Sequence, residues 1–591
     1  MILQALNEYY RRATDLAPEG WIRRGVDYLF VLDKQGNCIN VECIQDQVKG
    51  KPIAHQMLVP NIGKQAMKHN NSGKDANLLW DNGSFVLGGG EKGGTKLGAF
   101  VATLEKWFPE PQDEGIAAIL QFSRTMLKGA TTRDGLLTRF NLKETFDERD
   151  FVIAFKLQGD VEPVHARRPV HEAYEQKRGN SPNEKEVMGN CLVTGKENVP
   201  IALNETVLKG ISGGQPAGVN LVSFNKRSFE SYGKRERNGE NAPVSKEASF
   251  AYTTALNGLL ASTKQRLQIA DATTVFWASE QHEMEDHFGD ILRDDPERGT
   301  GALKSMFNSV RTGRFAVGEA TSKFHVLGLA APANSRVAVR FYREAEAMDF
   351  AARLTQHFED LQVTEEPVHF PLSRLLCAIS VRGEKKNIPD GLSAEFMRAI
   401  VEGLPYPAAL LTAAVQRCRA EQSRSPKQRN HQNVPIERAA IIKACLNRTI
   451  RLNNQAANET QPEFNTMLDP NNPDNAYRLG RLFAALEKTQ EDALPGLNAT
   501  IRDRYYGAAS STPASVFSTL LRLKNHHIAK LENRGLATNR EKLIGEIMDG
   551  LDKFPAHLPL PAQARFALGY YHQRQDFFKK KNTTTDEPSN N

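Results

Sequence analysis

The sequence predicts an α+β protein, with a mixed α/β N-terminal and central region followed by an all-helical C-terminal bundle. Three observations carry this prediction. Apolar runs rich in β-branched and aromatic residues recur along the N-terminal and central parts, and this strand signal fades beyond about Leu372. Beyond about Leu372 the apolar residues fall at helical spacing. A chain of 591 residues also exceeds one compact core, so two to four domains are expected.

The elements follow in order. MILQALNEYYRRA at the N-terminus reads as an amphipathic helix, because it lacks the basic-then-apolar order of a signal peptide. Within a domain spanning 1–160, YLFVLD (28–33), SFVLGG (84–89) and FVIAFKL (151–157) read as strands. The charged stretch from Arg167 to Glu186 reads as a linker or exposed arm. A central region, 161–375, holds the strands TTVFWA, KFHVLGLA and RVAVRFY and a helix starting near Ala345. A basic helical region, 376–466, precedes the bundle, 467–591.

In that bundle Leu479, Leu482, Phe483 and Leu486 share one helical face. Phe517, Leu520, Leu521 and Ile528 share a second, and Ile544, Ile547, Met548 and Leu551 a third. Thr512-Pro513 fits a helix start, Gly535 and Gly550 fit helix ends, and Pro561 fits the start of the last helix. Four helices with short connections predict an antiparallel bundle. The polar tail NTTTDEPSNN lacks the apolar residues needed for packing and is expected to be disordered.

Composition is that of a globular protein, with 40% hydrophobic and 25% charged residues. The net charge of +6 admits an anionic partner. The six cysteines, at 38, 43, 191, 377, 418 and 445, form no CxxC pair, which argues against a zinc site or a disulfide framework. No run approaches eighteen apolar residues, so no membrane partner and a cytoplasmic location are expected.

Catalytic patterns fail on inspection. GGGEKG (Gly88–Gly93) fits G-x-G-x-x-G, but no βαβ unit follows, and a glycine turn accounts for it. HEMEDH (His282–His287) separates its histidines by five residues, about 140° apart on a helix, so they cannot share a metal. Glu365-Glu366 and Asp294-Asp295 sit in charged text suited to a solvated surface, and no nucleophile elbow occurs. No catalytic residue, metal or cofactor is expected, and the chain is read as a binding protein rather than an enzyme.

Three constellations suit nucleic acid. In KQAMKHNNSGKDANLLWDN, the cations Lys64, Lys68 and Lys74 can fix a duplex backbone while Asn70, Asn71, Ser72, Asn77 and Asn82 reach base edges. In the segment 218–245, Asn220, Ser223, Phe224, Asn225, Lys226, Arg227, Ser228, Tyr232, Lys234, Arg235 and Asn241 mix amides, hydroxyls, cations and rings. That mixture serves either nucleic-acid contact or docking on a neighbouring subunit, and the sequence leaves both open. The third is Arg417, Arg419, Arg424, Lys427, Arg429, Arg438, Lys443, Arg448 and Arg451, set against only Glu421 and Glu437, a local net of +7. Such a block suits a phosphate backbone or a solvated face.

The wording is also specific. LVSFN leading into ESYGK and GENAPVS, then FAYTTALNGLL, resembles the large subunit of type I-C CRISPR Cascade effectors, the Csd family. MILQALNEYY, DANLLWDNGSFVLG, CLVTG, TTVFWA, HVLGLAAPANSRVAVRFY, LNATIRDRYYG and GYYHQRQ resemble it too, so the similarity spans nearly the whole chain. The resemblance implies a crRNA-guided surveillance complex in which this subunit recognises the protospacer-adjacent motif in target double-stranded DNA and supports R-loop formation. The 64–82 loop would read the motif, and the Arg417–Arg451 block would bind the displaced strand. Cascade backbone subunits and a separate helicase-nuclease, recruited after target binding, are the implied protein partners. The resemblance also implies a small subunit made from the same gene by internal initiation, for which Met467 is the candidate start. A stand-alone RNA- or ssDNA-binding protein, and less so a metal-dependent nuclease, remain as alternatives.

Overall fold

The computed structural model describes residues 1–48, 50–62, 75–90, 92–179, 186–224, 226–231, 233–234, 238–292, 322–332, 336–366, 368–420, 434–458 and 460–579. The fold is α+β as expected, and the chain divides into two compact units. The N-terminal unit comprises Tyr10–Thr206 and Val222–Ala255, and the helical unit comprises Met1–Tyr9, Val207–Leu221 and Leu256–Asn591. These cuts differ from the fourfold division at 160, 375 and 466 read from composition.

The N-terminal unit is built on a four-stranded mixed sheet ordered Cys38–Cys43, Tyr28–Leu32, Val152–Leu157, Trp80–Asn82. Tyr28–Leu32 pairs antiparallel with the first of these and parallel with Val152–Leu157. Its side chains alternate in the manner of a strand buried on both faces. Tyr28, Phe30 and Leu32, with Ile153, Phe155 and Leu157, meet the helices Gly93–Trp107 and Glu114–Leu127 in the larger core. Leu29, Val152 and Ala154 face the other way, onto Val26, Val59 and Trp80. Val26 and Val59 come from a second layer, the antiparallel pair Trp21–Val26 and His55–Pro60, whereas Trp80 belongs to the sheet itself.

Two sequence expectations are corrected in this unit. SFVLGG is not a strand: Gly83–Val86 forms a helical turn, since Gly83 N–H donates to Phe151 O and Ser84 N–H to Asp150. The glycines after it, Gly88–Gly90, all have positive φ and reverse the chain into Gly93–Trp107, as expected of a glycine turn. Nor is 167–186 simply an arm. Arg168–Gly179 is a helix whose Val170 and Tyr174 are buried, with Trp21 stacked on His171 at 4.5 Å between ring centres and its indole N–H bonded to Glu175.

The helical unit begins as an antiparallel meander, Arg266–Ile269, Ala272–Ala278, Lys323–Ala330 and Ala338–Glu346. Phe276, Ala278, Phe324 and Val326 turn one face into a core continuous from Leu267 to Tyr571. At its centre runs Ile436–Ala457, buried along most of its length. The expected separate basic region and C-terminal bundle therefore share one core.

Of the C-terminal expectations, the buried faces around Leu482, Phe517 and Ile544, the stop at Gly550 and the Pro561 start hold. Thr512-Pro513 opens a short turn, Pro513–Ser515, ahead of the helix Phe517–Lys530. Gly535 lies in the first turn of Arg534–Asp549, behind the Asn533 cap, rather than ending a helix. The helices Asn475–Ala493 and Leu560–Phe578 are not antiparallel. Asp474 pairs with Arg565 at the start of both and Glu491 with Arg574 near the end of both, so they run the same way. They meet backbone to backbone at Gly480 and Gly569, where a Cβ would strike the Phe566 and Tyr477 carbonyls respectively.

Candidate nucleic-acid interface

Lys64, Lys68, Asn70, Asn71, Ser72 and Lys74 lie outside the described residues, but both ends of the segment that carries them are described. On the entering side, Asn61 N–H donates to Gly20 O at 2.8 Å and Asn61 O accepts from the Tyr174 hydroxyl at 3.2 Å. On the leaving side, the buried Trp80 indole donates to Pro60 O at 2.9 Å, joining exit to entrance. Asp81, also buried, accepts from Asn77 N–H and Asn82 N–H, both at 2.8 Å. The residues flanking 63–74 thus form a closed stem.

Asn77 and Asn82 belong to that stem. Asn77 is buried, which corrects its reading as a base reader, whereas Asn82 is half-buried and precedes Gly83–Val86. The sequence reading missed the two acids that organise this edge. Besides Asp81, buried Asp27 accepts from Gln45 Nε2 at 2.6 Å, Arg149 Nη2 at 2.8 Å and Val152 N–H at 3.0 Å. A lone acid inside an apolar run, GVDYLF, was the available signal for Asp27.

Burial pushes the Asp81 carboxyl up to about 7, against the opposing pull of its two backbone donors. The sign follows directly. An unfolded aspartate ionises near 3.8, so the stability tied to this proton is full below that pH and is lost as pH rises through 7. In Asp81→Asn, the melting temperature relative to wild type is expected to shift in the variant's favour between pH 4 and pH 8. A pH-independent gap in calorimetry would refute this assignment.

The 218–245 candidates separate. Asn220 lies in the helical unit, bridged to Arg336 and accepting from Val337 N–H. The others fall in the N-terminal unit, where Asn225, Tyr232 and Arg235 lie outside the described residues. Asn241 is a scaffold residue there: its Oδ1 accepts from Ser231 N–H and its amide donates to the Lys234 and Asn238 carbonyls. Lys234 bonds Glu240 O. Ser223 and Phe224 are half-buried, while Lys226, Arg227 and Ser228 are exposed at the turn Arg227–Phe229 together with Phe229 itself.

The basic block is corrected most. Arg424, Lys427 and Arg429 lie outside the described residues, and Arg417 and Arg419 are half-exposed, the latter bonded to Gln563. Arg438, Lys443 and Arg448 are each under 5% exposed and point inward, so their side chains are not surface for a displaced strand. Arg438 donates to Ala378 O, and Lys443 to Asp360 O. Arg448 pairs with Asp360, donates to Ala399 O and lies 4.2 Å from the Tyr406 ring centre. Arg451 closes the cluster on Asp360 and Glu463. Charge counted along the sequence could not show that Arg448 and Arg451 are paired with Asp360 from within, or that Arg438 and Lys443 bond backbone carbonyls.

Met467 is partly exposed at 38%, with the Lys579 amine 3.5 Å from its sulfur. Among the described residues, no group of three or more His, Cys, Asp or Glu side chains is placed to hold a metal ion, and no helix is long and apolar enough to cross a membrane. Compared with known proteins, residues 6–578 match the family model described as CRISPR-associated protein (Cas_Csd1). No curated protein matches the chain.

Proposed function

Since the chain belongs to the Cas_Csd1 family of CRISPR-associated proteins, matched from residue 6 to 578, we propose that it is the subunit of a type I-C Cascade that reads the protospacer-adjacent motif and helps open the target. The observation that carries this reading is the closed stem at Asn61, Trp80 and Asp81. It ties together the residues on either side of the polar, lysine-rich stretch 63–74, as the anchoring of a base-reading element requires. Guide pairing would read the target itself, and the protein only the short flanking motif. The exposed Lys226, Arg227 and Ser228 supply a second contact to guide or target backbone. The chain works without catalysing cleavage, which falls to a recruited helicase-nuclease in the cytoplasm.

Replacing Lys68 and Lys74 with alanine in the assembled complex is expected to weaken binding to all duplexes and to lower the salt slope by about 2. Replacing Asn71 and Ser72 is expected to relax preference for the flanking motif by about 1–3 kcal/mol. Equal losses on motif-bearing and motif-free DNA from the second change would defeat the readout assignment.

Translation from Met467 would yield the small subunit, and Met467→Ala is expected to remove a short chain that copurifies with the complex. That chain would leave uncovered the face of Leu560–Phe578 that packs on Ile436–Ala457 in the full-length protein, so it needs a partner surface.

A further inference from the structure

Beside the stem, the N-terminal unit carries a two-stranded ribbon that its core does not need. Asp46–Val48 pairs antiparallel with Lys51–Ile53 through three residue pairs. Gly50 sits at φ +74°, with nothing within 4 Å of its Cβ position. Gln47, Lys51, Pro52 and Ile53 are exposed, and Ile53 is 47% exposed despite being a large apolar side chain. A ribbon whose described side chains are all exposed is nevertheless held firmly at its base. His55 Nδ1 lies 3.0 Å from Asp46 Oδ2, Gln45 is bonded to the buried Asp27, and Ile44 N–H donates to Asp27 O.

We propose that the ribbon Asp46–Ile53 is a further contact to duplex DNA, entering a groove of the duplex whose flanking motif this unit reads. The proposal rests on the function proposed above. Three features point to DNA rather than to a protein partner. From residue 45 to 75 five lysines face two aspartates, a net of +3, so the ribbon belongs to a cationic stretch. The ribbon leads through His55–Pro60 directly into the stem, which makes it continuous with the proposed reading element. Its chemistry also suits a groove. Paired backbones lie about 5 Å apart, well within a major groove about 12 Å wide that admits a two-stranded ribbon. Cross-strand pairs share a face, so Lys51 and Ile53 lie on one side and Gln47 on the other. Lysine can meet phosphate, glutamine a base edge and isoleucine a thymine methyl group.

The test uses the assembled complex with the triple substitution Gln47→Ala, Lys51→Ala and Ile53→Ala, all exposed positions. Binding is measured on a guide-matched duplex with flanking motif and on the guide-complementary single strand alone. The expected result is about a tenfold loss on the duplex and a salt slope lower by about 1, with binding to the single strand unchanged. Unchanged duplex affinity, or equal loss on both substrates, would overturn the ribbon assignment while leaving the motif-reading proposal intact. A wild-type complex that shows no motif dependence on duplex DNA would overturn both.

Discussion

Asp360→Ala is expected to destabilise the helical unit by about 3–5 kcal/mol, the cost of leaving a buried charge without its partner. Asp360 is 1% exposed and accepts from both Arg448 and Arg451, and its own carbonyl accepts from Lys443. Removing the carboxylate leaves Arg448, 4% exposed, with backbone carbonyls and the Tyr406 ring but no counter-charge from Asp360. Asp360→Asn keeps an acceptor and is expected to lose less. Urea unfolding of the two variants measures this. A loss below about 1 kcal/mol for the alanine variant would mean that the carbonyls and the Tyr406 ring satisfy the cations by themselves.

The second large effect is expected at the crossing of Asn475–Ala493 with Leu560–Phe578. Gly480→Ala places a methyl group against the Phe566 carbonyl and the Tyr570 amide, backbone atoms that no rotamer change can move aside. The helices must separate, with Phe483, Tyr506, Phe566 and Tyr570 packed around the crossing. A loss of about 1–3 kcal/mol or more is expected. Gly569→Ala presses on Tyr477 O from the other side, so the double variant is expected to cost less than the sum of the two. Thermal melting of the three variants decides this, and full additivity would show that the glycines act separately.

These cases mark where sequence was legible and where it was not. Strands such as Tyr28–Leu32 and Lys323–Ala330 were readable because β-branched and aromatic residues crowd them. Arg168–Gly179 was misread because most of its residues are polar, and Val170 and Tyr174 alone do not announce a helix. The family resemblance extends over nearly the whole chain and points to the candidate segments, but not to the environment of each side chain. Arg448 reads as a surface cation until Asp360, 88 residues earlier, is brought beneath it. Asn77 likewise reads as a base contact until Asp81 is seen to hold its backbone. Long-range pairing of polar groups has no local signature, and it separates buried Arg438, Lys443 and Arg448 from the rest of the basic block.

The division into units also bears on the order of synthesis. Leu6 and Tyr9 belong to the helical unit, where Leu6 is fully buried and the Tyr9 hydroxyl bonds Gln265, 256 residues later. At about 5–20 residues per second, a ribosome needs roughly 13–50 s to supply that partner. By then Tyr10–Thr206 and Val222–Ala255 have been made, so the N-terminal unit has all its segments while residues 1–9 still wait for theirs. A nascent chain of this protein therefore carries Leu6 and Tyr9 without their partners until about residue 265 has been made.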